Sequence, residues 1–172
     1  MERPDFDLGG QVALVTGAGR GIGHDLARAL AACGALVLAG VRDVDAADVA
    51  WTAPEGGSVE PLGLDVTDVP ATRAAVDAAV AAHGRIDILV NNAGLGANHD
   101  ALDVSEADWD EMMAVNLRGL FFVSQAVGRH MVNRGYGRIV NVSSQAGLVG
   151  IRRHAVYSAG KGGVNTLTKV LA

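Results

Sequence analysis

Short apolar runs rich in Val, Ile and Leu alternate with longer amphipathic segments along this chain. Runs of this kind predict strands buried on both faces, and the amphipathic segments predict helices. The predicted strands cover residues 12–16, 36–39, 59–64, 86–90 and 138–142. The predicted helices cover residues 22–32, a short stretch near 46–50, 70–83, 106–132, and about 155 to the end.

Repeated strand–helix–strand units predict parallel strands joined by right-handed crossovers. With helices on both faces, such a sheet forms a doubly wound, three-layer α/β/α fold, and its ligands bind at the carboxyl ends of the strands. The chain shows no internal repeat, low-complexity tract or linker, and residues 52–58 are interpreted as a loop. We therefore predict a single domain over residues 1–172.

Composition and charge argue against several classes of protein. Apolar residues make up 49% of the chain and charged residues 19%, which is typical of a folded globular protein. The net charge is −5 and basic residues are scattered, so nucleic-acid binding is not expected. No stretch approaches the ~20 apolar residues of a membrane span, and the first residues lack the apolar core of a signal peptide. The single cysteine, Cys33, fits a reducing compartment, so we predict a cytoplasmic protein.

A glycine-rich loop separates the first predicted strand from the first helix. Glycine allows tight turns and a close backbone approach to a pyrophosphate, and the start of a helix adds partial positive charge. The spacing is T-G-x-x-x-G-x-G, because Ile22 takes the place of the third glycine of the commoner G-x-G-x-x-G. The loop predicts a phosphate site, while a simple strand-to-helix turn is the alternative for the loop alone. Its sequence is Thr16-Gly17-Ala18-Gly19-Arg20-Gly21-Ile22-Gly23.

Tyr157 and Lys161 are four residues apart, which places both side chains on one face of a helix. A nearby ammonium helps a tyrosine hydroxyl to lose its proton, so the pair suits proton exchange with a carbonyl or an alcohol. Ser144 follows the last predicted strand, where its hydroxyl can hold a substrate oxygen, and Ser143 is the second candidate. Asn116 lies within the long predicted helix, either as a packed structural residue or as the holder of a water that relays protons to Lys161.

These motifs, in this order, resemble those of the short-chain dehydrogenase/reductase family over nearly the whole chain. Within the family, the sugar-acid and polyol dehydrogenases and the 3-oxoacyl carrier-protein reductases are the most similar groups. The resemblance implies a Rossmann-like fold and an enzyme that transfers a hydride between NAD(P)(H) and a carbonyl or secondary alcohol. The matching residues are Thr16 to Gly23, Asp65, Val66, Asn91, Asn92, Ala93, Gly94, Asn116, Ser144, Tyr157 and Lys161.

The resemblance also implies roles for individual residues. Asp65 and Val66 lie against the adenine, and Asn91 and Gly94 form the wall of the site at the fourth strand. Lys161 binds the nicotinamide ribose. The implied catalytic tetrad is Asn116, Ser144, Tyr157 and Lys161, with Tyr157 as general acid or base. The predicted cofactor-binding residues are Gly17, Gly19, Arg20, Gly21, Ile22, Gly23, Arg42, Asp65, Val66, Asn91, Ala93, Gly94, Tyr157 and Lys161.

The choice of cofactor depends on the end of the second predicted strand. Val41 stands where NAD-preferring members of the family commonly have an aspartate that binds the 2′-hydroxyl of the ribose. The guanidinium of Arg42 suits a 2′-phosphate, and Arg20 adds a second positive charge. We predict a preference for NADP(H). NAD(H) is the alternative, because Asp43 can pair with Arg42 or bind the ribose itself.

Helix 106–132 is apolar on more than one face, and the last helix, 155–172, carries further apolar residues. The resemblance implies a homodimer or homotetramer in which these helices pair with their copies, whereas packing within one chain is the alternative. The residues concerned are Met112, Met113, Leu117, Leu120, Phe121, Phe122, Val164, Leu167, Val170 and Leu171.

Other polar residues have open interpretations. His99 and His154 are expected in loops at the rim of the site, where solvated histidines are the alternative. Arg152 and Arg153 suit either an anionic substrate or a solvated surface. No cluster of His, Cys or carboxylate residues has the spacing typical of a metal site.

Two departures from the family pattern remain. Gly160 precedes Lys161, where the family often has serine or alanine. The family usually continues for two more strands after the last helix, whereas this chain ends at Ala172. We therefore expect a C-terminally truncated domain that lacks those two strands and is a poor catalyst by itself. The alternative function is a truncated dinucleotide-binding relative with little or no turnover.

Overall fold

The apolar runs form one parallel sheet of five strands in the computed structural model, which describes residues 6–45 and 57–172. The order across the sheet is β3-β2-β1-β4-β5. The chain reverses its direction of travel across the sheet between β1 and β4, where doubly wound sheets bind ligands. The strands are β1 (Val12–Thr16), β2 (Leu36–Val41), β3 (Ser58–Gly63), β4 (Ile88–Asn91) and β5 (Arg138–Asn141).

Helices cover both faces of this sheet. Alternate residues of β1 face two separate cores: Leu14 packs in a cluster with Val76 and Val127, and Val15 packs in a cluster with Ala27. The predicted α/β/α arrangement is therefore confirmed. In the described part of the chain, no helix combines the length and apolar character needed to cross a membrane. The α-helices are α1 (Gly21–Ala32), α2 (Val69–His83), α3 (Glu106–Met113), α4 (Leu120–Arg134) and α5 (Ala155–Leu171).

The predicted strands are found, with shifted ends and less burial at the edges. β4 covers Ile88–Asn91 rather than residues 86–90, because Ile86 and Asp87 precede the paired segment. β1 is buried throughout, whereas β3 and β5 lie at the two edges and are only partly buried. Val140 of β5 is 53% exposed. Burial on both faces was therefore a wrong expectation for the edge strands, because the helices that bury β1 leave the side chains of β3 and β5 partly exposed.

Local sequence signals set the helix boundaries. Pro70 lies in the first turn of α2, and Ser105 and Asp108 form the reciprocal capping box at the start of α3. Gly34 and Gly84 follow α1 and α2 with φ angles of 98° and 76°, in the left-handed region that favours glycine.

The segment predicted as one helix over residues 106–132 is helical throughout but is not a single α-helix. α3 ends at Met113, a π-helical stretch covers Ala114–Gly119, and α4 follows from Leu120. The π-helical stretch is only six residues long, which is too short for periodicity to distinguish it from the α-helices on either side. Such stretches occur frequently at functional sites. The short helix predicted near residues 46–50 and most of the loop 52–58 lie outside the described residues.

A buried carboxylate joins β1 and β4 at the amino ends of these strands, the end of the sheet opposite the site. The side chain of Asp87 accepts hydrogen bonds from both ends of the Arg85 guanidinium at 2.6 Å and from the Val12 N–H at 2.9 Å. Arg134 of α4 adds a third donor at 3.1 Å. Burial by itself raises the pKa of Asp87, but these hydrogen bonds outweigh it and hold that pKa below its ordinary value. The charged cluster therefore fixes the strand ends away from the site.

Candidate active site

The glycine loop between β1 and α1 has a backbone that excludes side chains at several positions. Gly17 and Gly21 have φ angles of 65° and 58°, which other residues rarely adopt. A Cβ on Gly17 would lie 2.9 Å from the Cα of Ala93, and one on Gly23 would overlap the Gly17 carbonyl and the Asn92 amide. The loop is therefore packed directly against the segment that follows β4.

The start of α1 suits an anion. Among the described residues no side chain caps its first turn, and that turn contains no acidic residue. The first N–H groups of a helix lack partners within the helix and attract negative charge. Arg20 precedes the helix and is exposed, Ile22 is 67% exposed, and a Cβ on Gly19 would lie 3.3 Å from Val41. The predicted loop residues thus lie together around a site that fits the pyrophosphate of a dinucleotide.

Asn92 is a site residue to which the sequence analysis gave no role. Its Nδ2 donates to the carbonyls of Thr16 and Gly17 at 3.0 and 3.2 Å. The Thr16 hydroxyl in turn accepts the N–H groups of Asn92 and Ala93, each at 3.0 Å. These bonds attach the glycine loop to the end of β4. The available signal was an amide side chain directly after a strand that neighbours β1.

Asn91 lies at the predicted place but its side chain points into the protein. Its Nδ2 donates to the Ser124 hydroxyl and to Asn141 Oδ1, both at 2.8 Å, and the residue is 2% exposed. Asn141 Nδ2 continues this polar chain to the Thr168 hydroxyl at 2.9 Å. The side chain of Asn91 therefore joins β4 to α4 and β5, and any cofactor contact of Asn91 has to come from its backbone.

Arg42 and Asp65 follow neighbouring strands of the sheet. Asp65 Oδ1 accepts the backbone N–H and the hydroxyl of Thr67 at 2.9 and 2.8 Å. The backbone hydrogen bond acts most strongly, and together with the hydroxyl and the charge of Arg42 it holds the pKa of Asp65 below its ordinary value despite partial burial. Val66 is 7% exposed and packs against Gly119 at the end of the π-helical stretch. The carboxylate of Asp65 is consequently ionised and anchored at neutral pH.

Lys161 is a buried charge at the carboxyl end of the sheet. The residue is 3% exposed, and its Nζ donates to the Val142 carbonyl at 2.7 Å. Burial lowers the pKa of the Lys161 ammonium. Its Nζ lies 5.8 Å from the centroid of the Tyr157 ring. A Cβ on Gly94 would lie 3.7 Å from this Nζ and 3.3 Å from Asn116 Oδ1, so both side chains lie next to Gly94 in the segment after β4.

Asn116 lies in the π-helical stretch and is completely buried. Its Nδ2 donates to the Leu95 carbonyl at 2.7 Å, and its Oδ1 accepts the Leu95 N–H at 2.8 Å. Both ends of the amide therefore hold the backbone that passes Lys161. This contact matches the structural alternative considered for Asn116, and its role in a proton relay stays a prediction.

The two candidate serines differ in what their hydroxyls contact. Ser143 Oγ donates to the Lys161 carbonyl at 3.1 Å, which uses its proton. Ser144 Oγ accepts the N–H of Ala146 at 3.1 Å, at the start of the 3₁₀ turn Gln145–Gly147 that packs against α5. Because a hydroxyl has one donor and two acceptor positions, Ser144 keeps its proton available for a further acceptor.

Tyr157 is half-buried in the first turn of α5. Its ring makes an edge-to-face contact with His154, with ring centroids 5.8 Å apart and an interplanar angle of 69°. A Cβ on Gly96 would lie 4.0 Å from the same tyrosine ring. Across residues 6–45 and 57–172, no group of three His, Cys, Asp or Glu side chains is arranged to hold a metal ion.

Comparisons with known proteins agree on one family of enzymes. A family model described as short chain dehydrogenase matches residues 11–172. The D-threitol dehydrogenase of Mycolicibacterium smegmatis is 44% identical over 170 residues, which are 98% of this chain and 65% of that protein. A gluconate 5-dehydrogenase structure from Burkholderia cenocepacia, in complex with NADP and tartrate, has a TM-score of 0.89 at 40% identity, with 97% of this chain and 66% of that chain covered.

An NAD⁺-bound xylitol dehydrogenase structure also has a TM-score of 0.89, at 35% identity, and the match covers 95% of this chain and 64% of that chain. The chain thus spans about two thirds of the length of these proteins.

Proposed function

The chain belongs to the short-chain dehydrogenase family, and from that membership we propose that it is an oxidoreductase acting on a carbonyl or secondary alcohol with NAD(P)(H). The observation that carries this proposal is the buried Lys161 beside the ring of Tyr157 and the amide of Asn116. Lysine is almost never fully buried unless it is paired, and groups with shifted pKa values cluster at functional sites. The position of Lys161 at the carboxyl ends of the strands supports a catalytic role.

The residues around the glycine loop fit a dinucleotide. When bound, the nicotinamide supplies or accepts the hydride. The loop, which has no room for a Cβ at Gly17 or Gly23, and the uncapped first turn of α1 suit its pyrophosphate. The ionised Asp65 suits the adenine amino group, and Lys161 suits the ribose next to the nicotinamide. Arg42 supports a preference for NADP(H), since a guanidinium pairs well with a phosphate.

Reduction of a carbonyl requires one proton at its oxygen, and we assign that proton to the hydroxyl of Tyr157. The ammonium of Lys161 stabilises the tyrosinate that remains. The hydroxyl of Ser144 donates to the same substrate oxygen and holds it in place. In the direction of alcohol oxidation, the Tyr157 oxygen takes the proton of the alcohol instead. Asn116 keeps the Leu95 backbone beside Lys161 throughout.

The test replaces the proton donor. Tyr157→Phe is expected to leave the affinity for the reduced cofactor nearly unchanged and to lower turnover of ketones by ~10²–10⁴-fold, the usual worth of positioned acid–base catalysis. Turnover is measured from the loss of reduced-cofactor absorbance, and cofactor affinity by equilibrium titration. Tyr136→Phe is the matched control, because Tyr136 contacts Arg138 on the surface and should tolerate the change.

Wild-type turnover in Tyr157→Phe would contradict the assignment of the acid. Cofactor binding without reduction of any ketone by the wild type would instead support the alternative of a dinucleotide-binding relative.

The names of the similar proteins, which concern threitol, gluconate and xylitol, support a polyhydroxylated substrate for this chain as well.

A homo-oligomer is the second part of the proposal. Leu117, Phe121 and Phe122 line a groove of about 410 Å³ together with Leu167 of α5, and its walls are almost entirely apolar. Water-exposed apolar grooves of this kind favour burial against another surface. A second copy of the chain, packed through the same helices, is the occupant that we propose.

The cytoplasmic location inferred from the single cysteine stays a prediction.

A further inference from the structure

Two loops at the rim of the site are joined to each other beside Tyr157. His99, in the loop after β4, forms a parallel β-bridge with His154, the residue that precedes α5. Arg153 strengthens the junction, because its Nη2 donates to the Asn98 carbonyl at 3.1 Å. Loops that are far apart in sequence are therefore held together within one helical turn of Tyr157.

The junction includes a backbone conformation that is unfavourable for the residue present. Arg153 has a φ angle of 65°. No other non-glycine residue in the described part of the chain has a positive φ. Its Nε also lies 3.8 Å from Asp100 Oδ1, so the side chain is held at two points. Strained conformations of this kind persist where surrounding contacts impose them, and they cluster at functional sites.

The ring of His154 has a defined orientation. Its Nδ1 lies 2.9 Å from the Arg152 carbonyl, and because a carbonyl only accepts, this nitrogen carries the hydrogen. Nε2 is then an acceptor in the neutral ring. The described residues give Nε2 no hydrogen-bond partner, while the ring itself stands edge-to-face with Tyr157.

We propose that His154 is a substrate contact that selects carbonyl compounds with a hydroxyl on a carbon close to the reacting carbon. The proposal rests on the proposed function, because it takes Tyr157 as the group at the carbonyl oxygen. The 5.8 Å between the two ring centroids lets one small molecule contact both side chains. A hydroxyl both donates and accepts, so it pairs with His154 whether the ring is neutral or charged.

This arrangement discriminates against substrates without the hydroxyl. A methylene group next to Nε2 would displace water from the nitrogen without replacing its hydrogen bond. Sites built to bind a hydroxyl reject analogues that lack it far more strongly than apolar pockets reject an added group. His154 is therefore a determinant of specificity, and Arg153 is a positioning residue that acts through the junction of the loops.

The experiment compares acetoin, an α-hydroxy ketone, with butanone, which lacks the hydroxyl. Values of kcat/KM are measured for the full chain with the reduced cofactor that it binds more tightly. The wild type is expected to prefer acetoin by about five- to tenfold, the worth of one net hydrogen bond. His154→Phe is expected to remove most of that preference, because a phenyl ring neither bonds to the hydroxyl of acetoin nor loses a hydrogen bond against the methylene group of butanone.

Two further variants complete the test. His154→Gln places an amide at this position, and an amide can also bond to a hydroxyl. This variant should therefore keep part of the preference even if His154→Phe folds poorly. His130→Phe is the matched control. His130 lies on α4, away from the rim, and its Nε2 is 2.8 Å from Asp77 Oδ1. Its ratio of the two kcat/KM values should equal that of the wild type.

The outcomes separate this inference from the proposed function. A wild type that prefers butanone, or an unchanged ratio in both His154 variants, overturns the assignment of His154 and leaves the oxidoreductase proposal intact. Failure of the cofactor-bound wild type to reduce either ketone contradicts the oxidoreductase proposal, and the assignment of His154 with it.

Discussion

Arg42 is the residue on which the proposed cofactor preference rests. It is exposed just beyond β2, and its charge reaches Asp65. Arg42→Ala is expected to weaken NADPH binding by about tenfold or more, because hydrogen bonds to charged groups are worth ~1.5–3 kcal/mol. NADH binding should change little, since NADH lacks the 2′-phosphate. Equilibrium titration of both reduced cofactors measures the two affinities.

Arg28→Ala is the control for this change, because Arg28 is an exposed arginine on the nearby helix α1. Asp43 is the competing group, and its Oδ1 accepts the N–H of Asp45 at 3.0 Å. A wild type that binds NADH more tightly than NADPH would reject the preference. An equal loss of affinity for both cofactors in Arg42→Ala would show that this arginine stabilises the fold of the site and does not bind a phosphate.

At the level of single elements, α5 contains glycines in its interior, where they are unfavourable. A Cβ on Gly160 would meet Asn116 Cβ and Met113 Sδ at 3.5 Å, which is ordinary contact. Gly160→Ala is therefore expected to raise the free energy of unfolding by ~0.5–1 kcal/mol, the helical difference between the two residues. Urea denaturation measures the change.

Gly163→Ala is the comparison within the same helix. A Cβ there would lie 2.9 Å from Leu117 Cδ2, so the new methyl has to displace that side chain. The gain in helix propensity is then partly or wholly offset by the cost of repacking. Equal stabilisation by both substitutions would contradict this description of how α5 packs against the π-helical stretch.

The whole molecule is expected to self-associate through the apolar groove between the π-helical stretch, α4 and α5. Met112, Leu120 and Val164 are buried within the chain and do not contribute, whereas Phe122 and Leu167 line the groove. Light scattering at micromolar concentration should give the mass of a dimer or tetramer. Leu167→Glu should shift the protein to the monomer, because a charge in an apolar interface is costly to bury.

Val132→Glu is the control for that shift. Val132 is also apolar and on α4, but it is 80% exposed and lies outside the groove. This variant should keep the mass of the wild type. A wild-type monomer at these concentrations would count against the interface, and the groove would then be an uncovered surface of a monomeric chain.

Patterns among neighbouring residues in the sequence were sufficient to predict the architecture. Alternating strands and helices predicted the doubly wound sheet, and the family was identified from several short motifs and their order, from the glycine loop to Tyr157 and Lys161. The capping box at Ser105 and the glycine caps are equally local features. Each of these signals needs only a few adjacent residues, because a strand, a helical turn or a cap is defined over that distance.

Other features depend on residues that meet only after folding. Asn91 and Asn92 are adjacent, yet one side chain points into the core and the other holds the glycine loop. The β-bridge between His99 and His154 joins loops more than fifty residues apart, and it places a histidine against Tyr157. Such contacts are set by how the strand ends and helices pack against each other, and neither periodicity nor spacing along the chain carries that information.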